Sequence, residues 1–249
     1  FIAHPCYYTV EDYLKSNRDN ERVARVTYEN SGNTINEGPS VMKHNGKYYL
    51  SFSVNSYGTS DYQIGQAVAD SPLGPFRKLT EEEGGLLLSA LAVESQPAGE
   101  TSTQAPSGTG HHSFVTAGNQ TFIVYHRHRD YETAGADRYT AIDEIKWITN
   151  KDGLDVMYAN GPTDSVQPLP ETYSKYKNIA GEATVTADTE ATDVGALTDG
   201  LLSMQKMFGF SDFVKETAIT KTTAFTFDFA EAKTIRALMI YNSKDVEAM

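Results

Sequence analysis

The chain has 249 residues, a formal net charge of −12 at pH 7 and a hydrophobic content of 39%. It is long enough to form one large domain or two ordinary domains with a real core. The acidic balance argues against nucleic acid as a partner, because phosphate binding needs clustered Lys and Arg. No run approaches the ~18 apolar residues of a membrane span. Because Cys6 is the single cysteine, no internal disulfide is expected.

The first part of the chain predicts a small antiparallel sheet. Residues 23–29 alternate apolar and polar side chains, which is typical of a half-buried strand. A β-hairpin is predicted over residues 36–53 and a third strand over residues 63–69, followed by a turn at residues 71–75. Short strands separated by turns in this order indicate one four-stranded unit.

The hairpin carries an acid where its first strand begins. Asn45-Gly46 predicts the turn, because these residues accept the positive φ angles of a tight hairpin. Gly38-Pro39 lets the chain start the strand without a ladder donor. Glu37 is therefore expected to project into a cleft, the alternative being a surface glutamate beside a turn.

A second unit repeats the same order. Residues 80–108 are predicted to be a connection over the surface. Four strands are then expected at residues 111–116, 121–127, 138–148 and 154–159, with turns at Gly118-Asn119 and Asp152-Gly153. No helix is predicted, and the repetition of one sheet unit is the signature of a β-propeller.

Three segments give the chain a family resemblance. They are the Glu37-Gly38-Pro39 hairpin, the turn Ser71-Pro72-Leu73-Gly74-Pro75-Phe76, and Gly108-Thr109-Gly110-His111. In sequence and spacing they resemble glycoside hydrolase family 43, five-bladed β-propellers that remove arabinose, xylose or related sugars from plant polysaccharides. The resemblance implies that residues 1–172 hold the end of blade 3 and blades 4 and 5. The chain is thus expected to be the C-terminal part of a longer enzyme.

The composition changes after Pro168-Leu169-Pro170, and a boundary is predicted near Thr172. Residues 173–249 resemble the opening of a discoidin-like (F5/8 type C) β-sandwich of jelly-roll type, a carbohydrate-binding module, and cover about half of one. The fold class expected is therefore all-β throughout. Asp199 lies where relatives often bind a structural calcium ion, the alternative being an ordinary turn aspartate.

Glycoside hydrolysis uses one carboxylic acid to protonate the leaving oxygen and a second carboxylate to activate water or attack the sugar. The family resemblance makes Glu37 the general acid. The family's base and its acid-tuning aspartate belong to blades 1 and 3, and none of Asp61, Asp70, Asp130 and Asp143 matches them in position. One of the three acids is therefore expected within this chain.

The resemblance also suggests residues that bind the substrate. His111 takes the position of the axial histidine that helps to hold a central metal or water cluster, and His112 would then pack between blades, since neighbours in a strand point to opposite faces. Relatives have an arginine eight or nine residues before a tryptophan, and this arginine contacts the sugar or a catalytic carboxylate. Arg138, which precedes Trp147, matches it. Tyr125 and His126 are expected near the pocket rim. The alternatives are a structural histidine at 111 and an arginine in a solvent salt bridge at 138.

The resulting prediction is an inverting glycoside hydrolase, of arabinofuranosidase or xylosidase type, secreted or periplasmic in a bacterium. Its partner would be an oligosaccharide or polysaccharide, with no nucleic acid and no membrane span. No cofactor is required for catalysis, and a structural calcium is the one metal expected besides the axial position. Two rivals remain: a non-catalytic glycan-binding propeller, and a retaining, sucrose-hydrolysing relative whose acid motif differs from Glu-Gly-Pro.

Overall fold

The computed structural model describes residues 36–89, 106–129, 137–163, 166–203, 210 and 214–241. The predicted strand at residues 23–29 and the residues Cys6 and Asp130 lie outside this part. The described residues form strands joined by turns and by short 3₁₀ turns at residues 81–83, 180–182 and 194–197, with no α-helix among them. The all-β prediction is confirmed over these ranges. Within them, no helix has the length and apolar character needed to cross a membrane.

The first antiparallel sheet contains five strands. They are β1 (Asn36–His44), β2 (Lys47–Val54), β3 (Gln63–Ala69), β4 (Arg77–Lys78) and β5 (Leu86–Leu88). The order is β1-β2-β3-β4, and β5 pairs with β3 as well. Asn45 and Gly46 form the β1–β2 turn with φ angles of 44° and 81°, as the hairpin prediction requires.

One prediction in this region is wrong. Residues 80–108 were expected to form only a surface connection, but Leu86, Leu87 and Leu88 form a fully buried strand. A short apolar run that follows a turn signal is consistent with a strand covered on both faces. Gly84 and Gly85 directly precede this run.

The second antiparallel sheet has four strands in sequential order. They are β6 (Ser107–Ala117), β7 (Gln120–His128), β8 (Tyr139–Thr149) and β9 (Asp155–Ala159). The four strands predicted for the second unit are therefore confirmed, with bounds that shift by no more than four residues. β6 begins earlier than expected because its glycines stay paired with β7 through two register shifts.

The two sheets pack face to face. Their shared core joins Tyr49, Ile64 and Leu87 of the first sheet to Ile123 and Met157 of the second. The buried side chain of Gln66 bridges the same interface, because its amide bonds both the backbone N–H and the carbonyl of Met157. The interface therefore places the first strands β1 and β6 side by side.

The C-terminal part contains two short antiparallel pairs. β10 (Ala183–Ala187) pairs with β13 (Phe225–Phe229), and β11 (Ala191–Thr192) pairs with β12 (Ala218–Ile219). Residues 232–241 have no strand assigned. Phe210 and Val214 are buried against Tyr158 of the second sheet, so this part of the chain shares a core with β9.

Candidate active site

Glu37 lies on β1 where the two sheets meet. Its side chain is 35% exposed, and its Oε1 lies 3.9 Å from Nδ1 of His111 on β6. The same oxygen accepts a hydrogen bond of 2.6 Å from the Tyr62 hydroxyl. The structure thus brings together two residues that are 74 positions apart in sequence and that carry two of the three matching motifs.

The Glu-Gly-Pro motif forms a β-bulge. Glu37 pairs with Ser53 and Ser40 with Ser51, so two residues of β1 oppose one residue of β2. Gly38 has a φ of +58°, and a Cβ built on it would lie 3.5 Å from the His111 Cα. A bulge re-aims the side chains beside it, and here it sets Glu37 at the junction between β1 and β6.

The two glycines of the Gly-Thr-Gly-His segment make room for aromatic rings. A Cβ on Gly110 would overlap the ring of Tyr62, and a Cβ on Gly108 would overlap the imidazole of His128. His111 follows with a φ of +50°, inside the register shift of β6 between Gly110 and Ser113. Its backbone N–H donates to the Ser53 Oγ at 2.8 Å, which ties β6 to β2 beside Glu37.

The two neighbouring histidines point in opposite directions, as strand alternation predicts. The His111 side chain is 57% exposed beside Glu37. His112 is buried between the sheets, where its Nε2 lies 2.6 Å from the Ser51 Oγ. Burial lowers the pKa of His112 to about 4, which keeps its imidazole neutral.

Tyr62 is the residue of this site that sequence reasoning missed. It directly precedes β3, is 0% exposed, and stacks on His126 with ring centroids 5.5 Å apart. Burial, followed by the Glu37 carboxylate, raises the pKa of its phenol. No local pattern marks Tyr62, because its contact with Gly110 exists only once the two sheets pack together.

The other predicted binding residues occupy different layers. His126 lies behind Tyr62 with both ring nitrogens buried and without a hydrogen-bond partner in the described part of the chain. Burial, and next the charge of Arg138, lower the pKa of His126 to about 4. Arg138 is exposed, with its guanidinium carbon 5.2 Å from the ring centre of Tyr57.

Tyr125 lies away from this group, which corrects its predicted place at the rim. It is 2% exposed in the core between the sheets, and its hydroxyl donates to Asp143. Adjacent strand residues face opposite sides of a sheet, so Tyr125 and His126 could not both face the cleft. A side chain enclosed in this way does not reach a sugar there.

Comparison with known proteins identifies the family. The model of glycosyl hydrolases family 43 matches residues 9–154, more than half of the chain and the region that holds both Glu37 and His111. The chain belongs to glycosyl hydrolase family 43.

Three similar proteins illustrate the relationship. The β-D-galactofuranosidase xynD of Aspergillus niger is 36% identical over 110 residues, which cover 44% of this chain and 28% of that protein. An extracellular exo-α-(1→5)-L-arabinofuranosidase of Streptomyces avermitilis is 28% identical over 202 residues, which cover 72% of this chain and 39% of that protein. A thermostable family-43 glycoside hydrolase of known crystal structure is 36% identical in sequence. The match covers 59% of this chain and 43% of that chain, with a TM-score of 0.47. The chain therefore spans less than two fifths of the length of these two curated relatives.

Three aspartates of the described ranges, Asp61, Asp70 and Asp143, have contacts of their own. Asp70 follows the far end of β3 and pairs with Lys47. Asp61 accepts a hydrogen bond from the Thr59 hydroxyl. Asp143 is buried in the second sheet, where it accepts bonds from Tyr125 and Thr163. The catalytic base therefore stays a prediction that these contacts do not test.

The predicted metal positions lack a ligand cluster. Among the described residues, no group of three His, Cys, Asp or Glu side chains could hold a metal ion. Asp199 lies in an exposed turn and accepts a hydrogen bond from the backbone N–H of Leu201 at 2.8 Å. The residue as a whole is exposed, but neighbouring atoms partly desolvate its carboxyl, which raises the pKa of Asp199. The residues around His111 and Asp199 therefore do not by themselves make a metal site, and no step is assigned to a metal.

Proposed function

We propose that this family-43 chain is part of an inverting glycoside hydrolase that removes arabinofuranosyl or xylosyl residues from plant cell-wall polysaccharides. The observation that carries the proposal is the position of Glu37. A half-exposed carboxyl lies in a bulge at the junction of two sheets, beside an exposed histidine and hydrogen-bonded to a buried tyrosine. The two curated relatives are named for furanosyl hydrolysis, which supports a furanoside substrate.

Glu37 acts as the general acid in this proposal. It protonates the departing glycosidic oxygen while a second carboxylate activates a water on the opposite face of the sugar, the two carboxyls being ~6.5–9.5 Å apart in inverting enzymes. The second carboxylate and the tuning aspartate come from chain outside these 249 residues. The limited share of the relatives' length that this chain covers supports such an arrangement.

Three further side chains bind or border the substrate. Arg138 contacts the sugar or a catalytic carboxylate, because a planar guanidinium donates to two oxygens at once and stays charged. His111 lines the axial side of the cleft. His126 contributes from behind Tyr62 by fixing that ring, since its own nitrogens are covered.

The architecture proposed is that of two neighbouring blades in a five-bladed β-propeller, followed by an incomplete discoidin-like module. The support is local: each sheet presents its first strand, β1 or β6, to the same junction, and each of those strands carries a motif. The calcium ion at Asp199 and the axial metal at His111 belong to this proposal. So does a secreted or periplasmic location, which the extracellular Streptomyces relative favours.

Replacing Glu37 by Gln in the complete protein tests the function. The rate on arabino- or xylo-oligosaccharides should fall by ~10²–10⁴-fold, because the amide cannot supply a proton. Hydrolysis of an aryl glycoside with an acidic phenol should fall far less, since that leaving group needs little protonation. Glu144→Gln is the matched control: this glutamate pairs with Lys146 on β8 and should tolerate the change.

The stereochemistry is read by NMR of the first-formed sugar. Inversion of the anomeric centre is expected, and retention would overturn the inverting mechanism. A complete protein that binds these glycans without hydrolysing any of them would instead be a non-catalytic glycan-binding propeller.

A further inference from the structure

We propose that Tyr62 is a positioning residue that fixes the orientation of the Glu37 carboxyl and leaves Oε2 as the oxygen that carries the acidic proton. The proposal rests on the proposed function, because it assumes that Glu37 is the acid. The carrying observation is the 2.6 Å hydrogen bond from the Tyr62 hydroxyl to the Glu37 Oε1.

The ring of Tyr62 is held in place on both sides. Gly110 leaves room for it on one side, and any Cβ there would overlap the ring. The imidazole of His126 stacks on it at an interplanar angle of 14°. A fully buried ring held between two sheets presents its hydroxyl in one place, which is what positioning an acid requires.

The groups around the Tyr62 hydroxyl favour donation of its proton to Glu37. The Ser53 Oγ accepts from the backbone N–H of His111, so its own proton is available for another acceptor. The same Ser53 hydroxyl acts on the Tyr62 phenol and lowers its pKa, as a donor to the phenol oxygen does. A phenol has one proton, and the Tyr62 hydroxyl donates it to the Glu37 Oε1.

The consequence for Glu37 is a distinction between its two oxygens. Oε1 is the acceptor of the Tyr62 bond, so a proton on the carboxyl belongs on Oε2. After the proton has moved to the leaving oxygen, the carboxylate keeps the Tyr62 bond, and hydrogen bonds to ionised groups are stronger than neutral ones. Tyr62 thus favours the step in which Glu37 becomes negative.

The test is Tyr62→Phe in the complete protein, with Tyr49→Phe as the matched control. Both variants remove a buried hydroxyl from the first sheet and keep the ring, but Tyr49 lies in the core between the sheets, in edge contact with Trp147. Tyr62→Phe should lower kcat on oligosaccharides by about 10-fold or more, within the range of a bond to a charged group. KM should change by less than about 2-fold. Activity on an aryl glycoside with an acidic phenol should fall much less.

Two further readouts separate positioning from a loss of structure. In the Glu37→Gln background, Tyr62→Phe should have little further effect on oligosaccharides, since the acid on which it acts is gone. Thermal unfolding of Tyr62→Phe and Tyr49→Phe should be similar.

The outcomes distinguish this inference from the proposed function. One outcome is that the activity lost in Glu37→Gln depends on the leaving group while Tyr62→Phe behaves like Tyr49→Phe. The positioning role is then wrong and the acid assignment stands. If the Tyr62→Phe loss is equal on both substrates, or is fully additive with Glu37→Gln, the positioning role is also wrong. If Glu37→Gln reduces the activity on both substrates equally, both the acid assignment and the Tyr62 role are wrong.

Discussion

The stability of the interface between the two sheets depends on one buried amide, and replacing Gln66 by Leu should weaken it strongly. The Gln66 Nε2 donates to the carbonyls of Gly84 at 2.7 Å and Met157 at 2.8 Å. Its Oε1 accepts from the Met157 N–H at 3.1 Å. The side chain therefore pairs with the outer edge of β9 as a neighbouring strand would. Leucine fills a similar volume but satisfies none of these backbone groups.

The magnitude follows from counting the groups left without this partner. Two carbonyls and one N–H would be unpaired, and a buried unsatisfied group costs about 1–3 kcal/mol. Partial relaxation makes a loss of about 3–5 kcal/mol the expected value, a large share of the ~5–15 kcal/mol of a typical domain. Urea unfolding followed by the fluorescence of Trp147, the single tryptophan, reports on this interface directly.

The control for this experiment is Gln120→Leu. Gln120 also bridges two groups, Glu144 and the backbone N–H of Glu171, but it is half-exposed and water can replace its bonds. The Gln120→Leu substitution should lower the free energy of unfolding by less than about 1 kcal/mol. If Gln66→Leu costs no more than Gln120→Leu, the buried amide does not hold the interface and the reasoning is refuted.

Two other predictions follow from buried contacts. Gly110→Ala should cost about 2–3 kcal/mol in unfolding free energy and should reduce activity, because the new methyl group displaces the Tyr62 ring. Gly58→Ala, which meets only the Ser56 Oγ at 3.8 Å, should change stability by less than about 0.5 kcal/mol, and equal effects would contradict the explanation. Burial raises the pKa of Asp143 from 3.8 to about 6, so its protonated form stabilises the fold at low pH and this contribution is lost as the pH rises from about 4 to above 6. The loss is about 3 kcal/mol at neutral pH. Denaturation at a series of pH values should show that the free energy of unfolding of the wild type falls over this pH range relative to that of Asp143→Asn. Parallel pH profiles of the two proteins would contradict the explanation.

The sequence predicts the parts of this fold in which local signals agree. Asn45-Gly46 between two apolar runs specifies the first hairpin, and the motif glycines indicate where β1 and β6 bend. The buried strand Leu86–Leu88 could not be recognised in the same way, because Leu86 and Leu88 pair with Gly65 and Ile64 of β3, which lie 21 and 24 positions earlier, and because its flanks are rich in turn and acidic residues.

The candidate site was predictable in part for the same reason. Glu37 and His111 are adjacent to glycines, which indicate an irregular backbone conformation in the sequence. The structure brings Glu37 and His111 together. Tyr62 carries no such mark of its own. Its role depends on a contact with Gly110 across the two sheets, and a contact of that kind comes from packing and not from any local pattern.

The most direct measurement of the central claim is the dependence of kcat/KM on leaving-group acidity, for a series of aryl glycosides, in the complete protein and in its Glu37→Gln variant. With Glu37 as the general acid, the unmodified enzyme protonates poor and good leaving groups alike, so its rates should vary little along the series. The variant should match it for the most acidic phenols and should fall steeply as the phenol becomes less acidic. Two parallel lines, separated by a constant factor, would show that Glu37 does not protonate the leaving oxygen.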